Sequence, residues 1–160
     1  MKREKSYNLD SLIMSQSDNT EKLRQQYDFL PYPESSLDYS PKNNLQELFV
    51  HSWLTPYYLR YQQVKNLDGK MILDAGCGSG LKSLALALAN PGAKIIGVDI
   101  SAKSIELARQ RLDYHGFKNV EFYPLPLEEI TSLSYHFDYI NCDEVLYLLT
   151  DPAAILGILR

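Results

Sequence analysis

Cysteine is scarce: Cys77 and Cys142 are the only two in 160 residues. Two widely separated thiols make no disulfide framework, and both are expected to be reduced. An excess of basic charge is also missing. Sixteen Lys and Arg stand against 20 Asp and Glu, for a net charge of −4. Proteins that grip nucleic acid by neutralising phosphates usually carry the opposite sign, so nucleic acid is not an expected partner. Apolar runs are short. The greasiest, residues 84–89, falls far below the roughly 20 residues of a membrane helix, so no membrane association is expected. The N-terminus has no apolar signal-peptide stretch, and Glu4 and Asp10 suit a transit peptide poorly, which makes the cytoplasm the expected compartment. The three histidines, His51, His115 and His136, have no metal-ligand spacing, and no metal is expected. What is present is apolar material for a core, at 45 % hydrophobic and 22 % charged residues.

Three regions follow from composition. Residues 1–20 are polar and aperiodic and read as a mobile tail. Residues 21–68 read as an N-terminal helical cap. It opens on an aromatic and proline-rich stretch with Pro31, Pro33 and Pro41, which favours extended or turn backbone. Asn43 or Asn44 can cap a short helix, and Thr55-Pro56 reads as cap and first residue of another running to Val64. Residues 69–160 alternate short apolar runs with helical periodicity. Strands are expected at Met71-Ile72-Leu73, residues 94–98, 120–123 and 137–141. Helices are expected after Gly80, Ser101 and Asp151, the last with Ile155, Leu156 and Leu159 as its apolar positions. Strands alternating with helices through short connections mean a parallel sheet covered on both faces, a doubly wound, Rossmann-like α/β fold of about four strands.

The informative stretch is Leu73-Asp74-Ala75-Gly76-Cys77-Gly78-Ser79-Gly80, between a strand and a helix. Open α/β sheets bind ligands at such carboxyl ends. The glycine spacing is G-x-G-x-G. A dinucleotide fingerprint would need its third glycine at position 81, which is Leu81, and the Gly-Lys-Ser/Thr of a phosphate loop is missing. An acid beside the loop repels a pyrophosphate and suits a ligand with a cationic end, such as S-adenosylmethionine. Gly97-Val98-Asp99 places a second carboxylate about 20 residues on, where a carboxylate can accept from both ribose hydroxyls. Taken singly, the glycines read equally as a tight turn and Asp99 as a helix cap.

These residues resemble class I S-adenosylmethionine-dependent methyltransferases. Residues 73–80 resemble the family's first motif, Gly97-Val98-Asp99 its second, and Phe137-Asp138-Tyr139-Ile140-Asn141 its fourth strand. The segment with Gln26-Tyr27-Asp28, Pro31-Tyr32-Pro33 and Thr55-Pro56-Tyr57-Tyr58 resembles a leader on some bacterial, notably cyanobacterial, members. The resemblance implies S-adenosylmethionine as cofactor and transfer of its methyl group to an acceptor, a small molecule or a protein, that the residues do not identify. It implies that Asp74, Ala75, Gly76, Cys77, Gly78 and Gly80 cradle the methionine half. Asp99 would hold the ribose, Ile100 would lie on the adenine and Leu127 would offer a backbone contact to its edge, with Cys142 near the methionine moiety. The family's acidic residue after the third strand falls on Pro126, and Glu128 is the possible substitute.

Asp143 and Glu144 are the candidates for a general base, against the plainer reading of solvated loop carboxylates. Tyr27, Tyr32, Trp53, Tyr57 and Tyr58 are candidates for an aromatic lid or, alternatively, for stapling the cap to the sheet. The implied sheet order is 3-2-1-4-5-7-6, and residues 69–160 supply only its first four strands. The chain is therefore expected to be a truncated form, with the fourth strand an exposed edge prone to self-association. A non-catalytic nucleoside-binding module and, less favoured, an NAD-dependent oxidoreductase stay open as other classes.

Overall fold

The computed structural model describes residues 9–160, with side chains from residue 19 onward. Strands β1 (Met71–Ala75), β2 (Lys94–Asp99), β3 (Val120–Pro124) and β4 (Tyr139–Asn141) form one sheet in the order β3-β2-β1-β4. Every pairing is parallel, and Asp74 lies opposite Gly97 on one side and Asn141 on the other. The inner strands are built on the apolar runs Ile72-Leu73 and Ile95-Ile96 because both faces are covered. Ile72 and Ile95 face a core with Leu84, Ile105, Leu112 and Phe122. Leu73, Ile96 and Val98 face a second with Leu127, Ile130 and Ile155.

The first face is covered by α3 (Leu54–Tyr61), α4 (Leu81–Ala89) and α5 (Ala102–Tyr114), with α2 (Leu45–His51) packed on α4, and the second by the 3₁₀ segment Leu127–Leu133 and by α6 (Pro152–Ile158). The expected caps at Asn44, Ser101 and Asp151 each accept the N–H three residues on. The fold is thus the doubly wound parallel α/β sheet expected, with helices and aromatics ahead of it.

Five local expectations are corrected. Helix α1 (Leu9–Phe29) includes residues 9–20, expected as tail, while residues 1–8 of that tail lie outside the described residues. No Pro or Gly interrupts this span. Glu21, Arg24, Gln25 and Asp28 pair along it at helical spacing, which supports a largely polar helix. Thr55 is no cap: α3 starts one residue earlier, and the Thr55 hydroxyl donates to the Phe49 carbonyl instead. Helix α3 stops at Tyr61, on a left-handed Gln62, short of Val64. Strand β4 starts at Tyr139, because Asp138 turns its carboxylate onto the Met71 amide and Lys70. In α6 Ile155 is buried, but Leu156 is half-exposed.

One side chain joins the cap to the sheet. Asn90, fully buried after α4, accepts from the Trp53 amide at 2.7 Å and donates to the His51 and Leu86 carbonyls. That fixes the corner between α2 and α3 and places Trp53 in the core, stacked on Tyr139 at 5.9 Å. Asn90→Ala strands the Trp53 N–H and the His51 C=O away from water. It is expected to destabilise the fold by about 2–4 kcal/mol, seen as a lower urea midpoint at unchanged slope.

Candidate functional site

A cleft opens at the carboxyl ends of β1 and β2, where the βα connections diverge. One wall is the glycine loop. All five of its backbone N–H groups donate within the protein. Gly76 and Cys77 both donate to the Val98 carbonyl, Ser79 to the Tyr32 carbonyl and Gly80 to the Cys77 carbonyl, and Gly78 donates to Asp99 Oδ2 at 2.8 Å. The loop thus offers no cluster of free N–H groups for a phosphate. Its glycines are required by protein contacts. A Cβ on Gly76 would lie 2.2 Å from Val145 Cγ2, one on Gly78 2.1 Å from the Tyr32 carbonyl oxygen, and one on Gly80 2.7 Å from the Ala108 Cβ. Gly78 also has φ +51°, which disfavours any side chain there.

Asp99 stands at the tip of β2. Its Oδ1 accepts from the Ser101 amide and its Oδ2 from Gly78. Two of about four lone-pair positions on a carboxylate are thereby used, and two remain for a ligand. Burial pushes its carboxyl above the usual range, opposed by those two amide bonds. Next to Asp99 the cleft is apolar, with Ile100, Leu125, Pro126 and Leu127, and Glu128 at its rim. Ser104 also lines it. Its Oγ is the one buried side-chain polar atom without a partner among the described residues.

The opposite wall comes from two distant segments. Helix α1 and the turn after it bring Thr20, Leu23, Tyr27, Tyr32 and Pro33, and the segment after β4 brings Asp143, Glu144, Val145, Leu148, Leu149 and Thr150. Lys82 lies between them and forms ion pairs with Asp143 and, at 3.5 Å, with Glu144. Partial burial works against the Lys82 ammonium, but the carboxylates outweigh it and hold its pKa above the usual value.

Of the residues expected to touch a cofactor, Gly76, Cys77, Gly78, Asp99, Ile100 and Leu127 line this cleft, as do Asp143 and Glu144. Asp74, Ala75, Gly80 and Cys142 do not. Asp74 is buried, accepting from Ser83 Oγ at 2.6 Å and Asn141 Nδ2 at 2.9 Å, so it ties α4 and β4 to β1. Its burial raises its carboxyl pKa, against those two hydrogen bonds. Ala75 is core, and Gly80 allows close packing of the α4 start on α5. Cys142 packs into the second core, where burial raises its thiol pKa. The aromatic set divides. Tyr27 and Tyr32 reach the cleft, whereas Trp53 and Tyr57 are stapled edge-to-face on the first core and Tyr58 is half-exposed. Thr20, Leu23, Ser104, Val145 and Leu149 carry no sequence signal of a site, because each sits on an ordinary helical or loop pattern and reaches the cleft by packing.

Asp28 holds α1 in place. Its Oδ1 accepts from the Ser101 hydroxyl at 2.7 Å and from the Lys103 amide, and its Oδ2 accepts from Arg24. The Ser101 hydroxyl, then the Lys103 amide and Arg24, hold this carboxyl below its usual range. A depressed acid contributes stability above its unfolded pKa and loses it as pH falls through the folded one. The stability difference between the wild type and Asp28→Asn is therefore expected at about 0.5–1 kcal/mol at neutral pH, allowing for partial exposure. It should close below about pH 4, as measured by urea unfolding across pH.

Comparison with known proteins places this geometry. A family model described as a methyltransferase domain matches residues 66–160. An uncharacterised protein of Synechococcus is 34 % identical over 131 residues, covering 79 % of this chain and 30 % of that protein. A ubiquinone biosynthesis O-methyltransferase of Bordetella bronchiseptica is 36 % identical over 95 residues, 57 % of this chain and 37 % of the enzyme. The chain thus spans about a third of the length of these curated relatives. Among solved structures, magnesium protoporphyrin IX methyltransferase from Synechocystis, with bound S-adenosylmethionine, superposes with a TM-score of 0.57 at 23 % identity, over 98 % of this chain and 73 % of that one. A plantazolicin methyltransferase in complex with S-adenosylhomocysteine gives 0.57 at 20 %, over 91 % and 56 %.

Proposed function

The chain belongs to the methyltransferase-domain family, and from that premise we propose that its cleft binds S-adenosylmethionine for methyl transfer. Residues 69–160 form the cofactor-binding unit and residues 21–68 its cap. The observation that carries this reading is the pairing of a glycine loop whose N–H groups are all engaged with an Asp99 carboxylate that keeps lone pairs open. Such a site suits a nucleoside without phosphates. Asp99 accepts from the ribose hydroxyls, and the apolar slot of Ile100 and Leu127 takes the base. The end beyond Gly78, with Tyr27, Tyr32 and Lys82, takes the amino-acid portion. The buried, unpartnered Ser104 hydroxyl supplies a further hydrogen bond to the ligand.

When bound, S-adenosylmethionine supplies an activated methyl group with a neutral thioether as leaving group. What this chain contributes is alignment and exclusion of water. Tyr27, Val145 and Leu149 close apolar surface over the cleft. Relatives named for O-methylation favour an oxygen acceptor. A non-catalytic binding module is the second reading, favoured by one observation: the two candidate bases, Asp143 and Glu144, are both committed to Lys82. Strand β4 has a partner on one side only among the described residues, and we place self-association at that edge. Sedimentation velocity at high concentration should then show dimers, and a clean monomer would remove this part of the reading.

Calorimetry tests the cofactor. S-adenosylhomocysteine is expected to bind more tightly than NAD, and equal or tighter NAD binding would reverse the assignment. Asp99→Ala should weaken S-adenosylhomocysteine about tenfold or more. Ser104→Ala should act with opposite signs on two readouts, raising thermal stability by relieving an unsatisfied buried hydroxyl while lowering affinity. Methyl release to a phenolic acceptor separates the enzyme from the binding module.

A further inference from the structure

Arg111 lies in the last turn of α5 with 1 % of its surface exposed, and no carboxylate pairs with it among the described residues. Its three donor groups go instead to backbone carbonyls of two chain segments. Nε donates to Ser79 of the glycine loop at 3.0 Å, Nη1 to Ser36 at 2.7 Å and Nη2 to Ser35 at 3.0 Å. A planar guanidinium can span two segments in this way, and a lysine ammonium cannot. Ser79 adds two bonds to the same stretch, its amide to the Tyr32 carbonyl at 2.9 Å and its hydroxyl to the Pro33 carbonyl at 2.6 Å. His115 Nε2 reaches the Leu37 and Tyr39 carbonyls, one turn further along.

A buried charge without a counter-ion is tolerable only while its N–H groups are satisfied. Burial of Arg111 and docking of residues 32–36 are therefore one event. That event has a consequence in the cleft. It seats the Tyr32 carbonyl oxygen against Gly78 so closely that no side chain fits there, and it makes Tyr32 and Pro33 part of the wall. Asp99, Ile100 and Leu127, in contrast, sit on β2 and the turn after β3, which Arg111 does not touch.

Resting on the cofactor reading above, we infer that Arg111 is a positioning residue that sets affinity for the amino-acid end of the ligand by clamping residues 32–36 onto the glycine loop. Two ligands separate the ends: S-adenosylhomocysteine, and 5′-methylthioadenosine, which has the same nucleoside and no amino-acid group. In Arg111→Lys and Arg111→Met, calorimetry should show S-adenosylhomocysteine weakened about tenfold or more, with 5′-methylthioadenosine held within about twofold. Hydrogen exchange should show the Ser79 amide, which donates to the Tyr32 carbonyl, losing protection while the sheet keeps it. Equal weakening of both ligands would reduce Arg111 to a stability residue and overturn the inference. So would unchanged S-adenosylhomocysteine binding once the Ser79 amide has lost protection. If the Arg111 variants fail to fold, Ser79→Ala, which removes only the hydroxyl bond to Pro33, should weaken S-adenosylhomocysteine about threefold and leave 5′-methylthioadenosine unchanged. Full retention of both affinities in that variant overturns the proposal. A wild type that binds neither compound overturns the cofactor reading and this inference with it, whereas normal binding by the wild type with both ligands weakened equally in the variants overturns the positioning role alone.

Discussion

The Val98 carbonyl accepts two N–H groups, from Gly76 and Cys77, and the next carboxylate along β2 takes a third from Gly78. This anchoring of the β1–α4 loop onto the end of β2 is the constraint on which the cleft depends. It orients Asp99, because one carboxylate oxygen is committed to the loop and the other to the start of α5. It also uses up the donors that a phosphate would require. The chemistry that such a loop can serve is thereby narrowed to uncharged or cationic groups, before any ligand is considered.

Buried polar groups brace this anchoring from three sides. Asp74 ties the loop's entry to α4 and β4 through Ser83 and Asn141. Arg111 and Ser79 tie its exit to the segment after α1. Asn90 ties the far end of α4 to the corner between α2 and α3. Each is a polar side chain with its hydrogen-bonding groups engaged in a dry environment, the condition under which a buried polar group specifies one arrangement instead of merely costing stability. Helix α1 and the turn after it are consequently part of the cleft wall. Tyr27 and Tyr32 reach the cleft because Asp28 and Arg111 hold their segment against α5.

The two carboxylates after β4 illustrate how a site residue and its role separate. Asp143 and Glu144 lie in the cleft, where their position after the fourth strand put them. Their partner is Lys82, from the first turn of α4. Nothing in the spacing of 61 and 62 residues announces that contact. It arises because β4 pairs with β1 and carries its loop over the α4 start.

Local pattern was enough for the sheet and its order of elements. Continuous apolar runs at residues 72–73 and 95–96 mark strands covered on both faces, and Asn44, Ser101 and Asp151 announce their helices by capping chemistry. The glycine spacing with Asp99 one βαβ step later located the cleft, since both lie at strand ends whose position is set by periodicity. The first helix escaped because its sequence is mostly polar and its apolar residues recur only weakly at helical spacing. The same limit applies to Asp74, Gly76 and Gly78. Their residue types point to a ligand, but tertiary packing turned Asp74 inward onto Ser83 and put Val145 and Tyr32 where the glycines leave room. Which groups face the cleft depends on contacts between segments tens of residues apart, and hydrogen bonds of that range follow from how the layers stack. The amino-acid order by itself determined that this chain builds a ligand crevice at the end of a parallel sheet, and only the stacking decided which side chains line it.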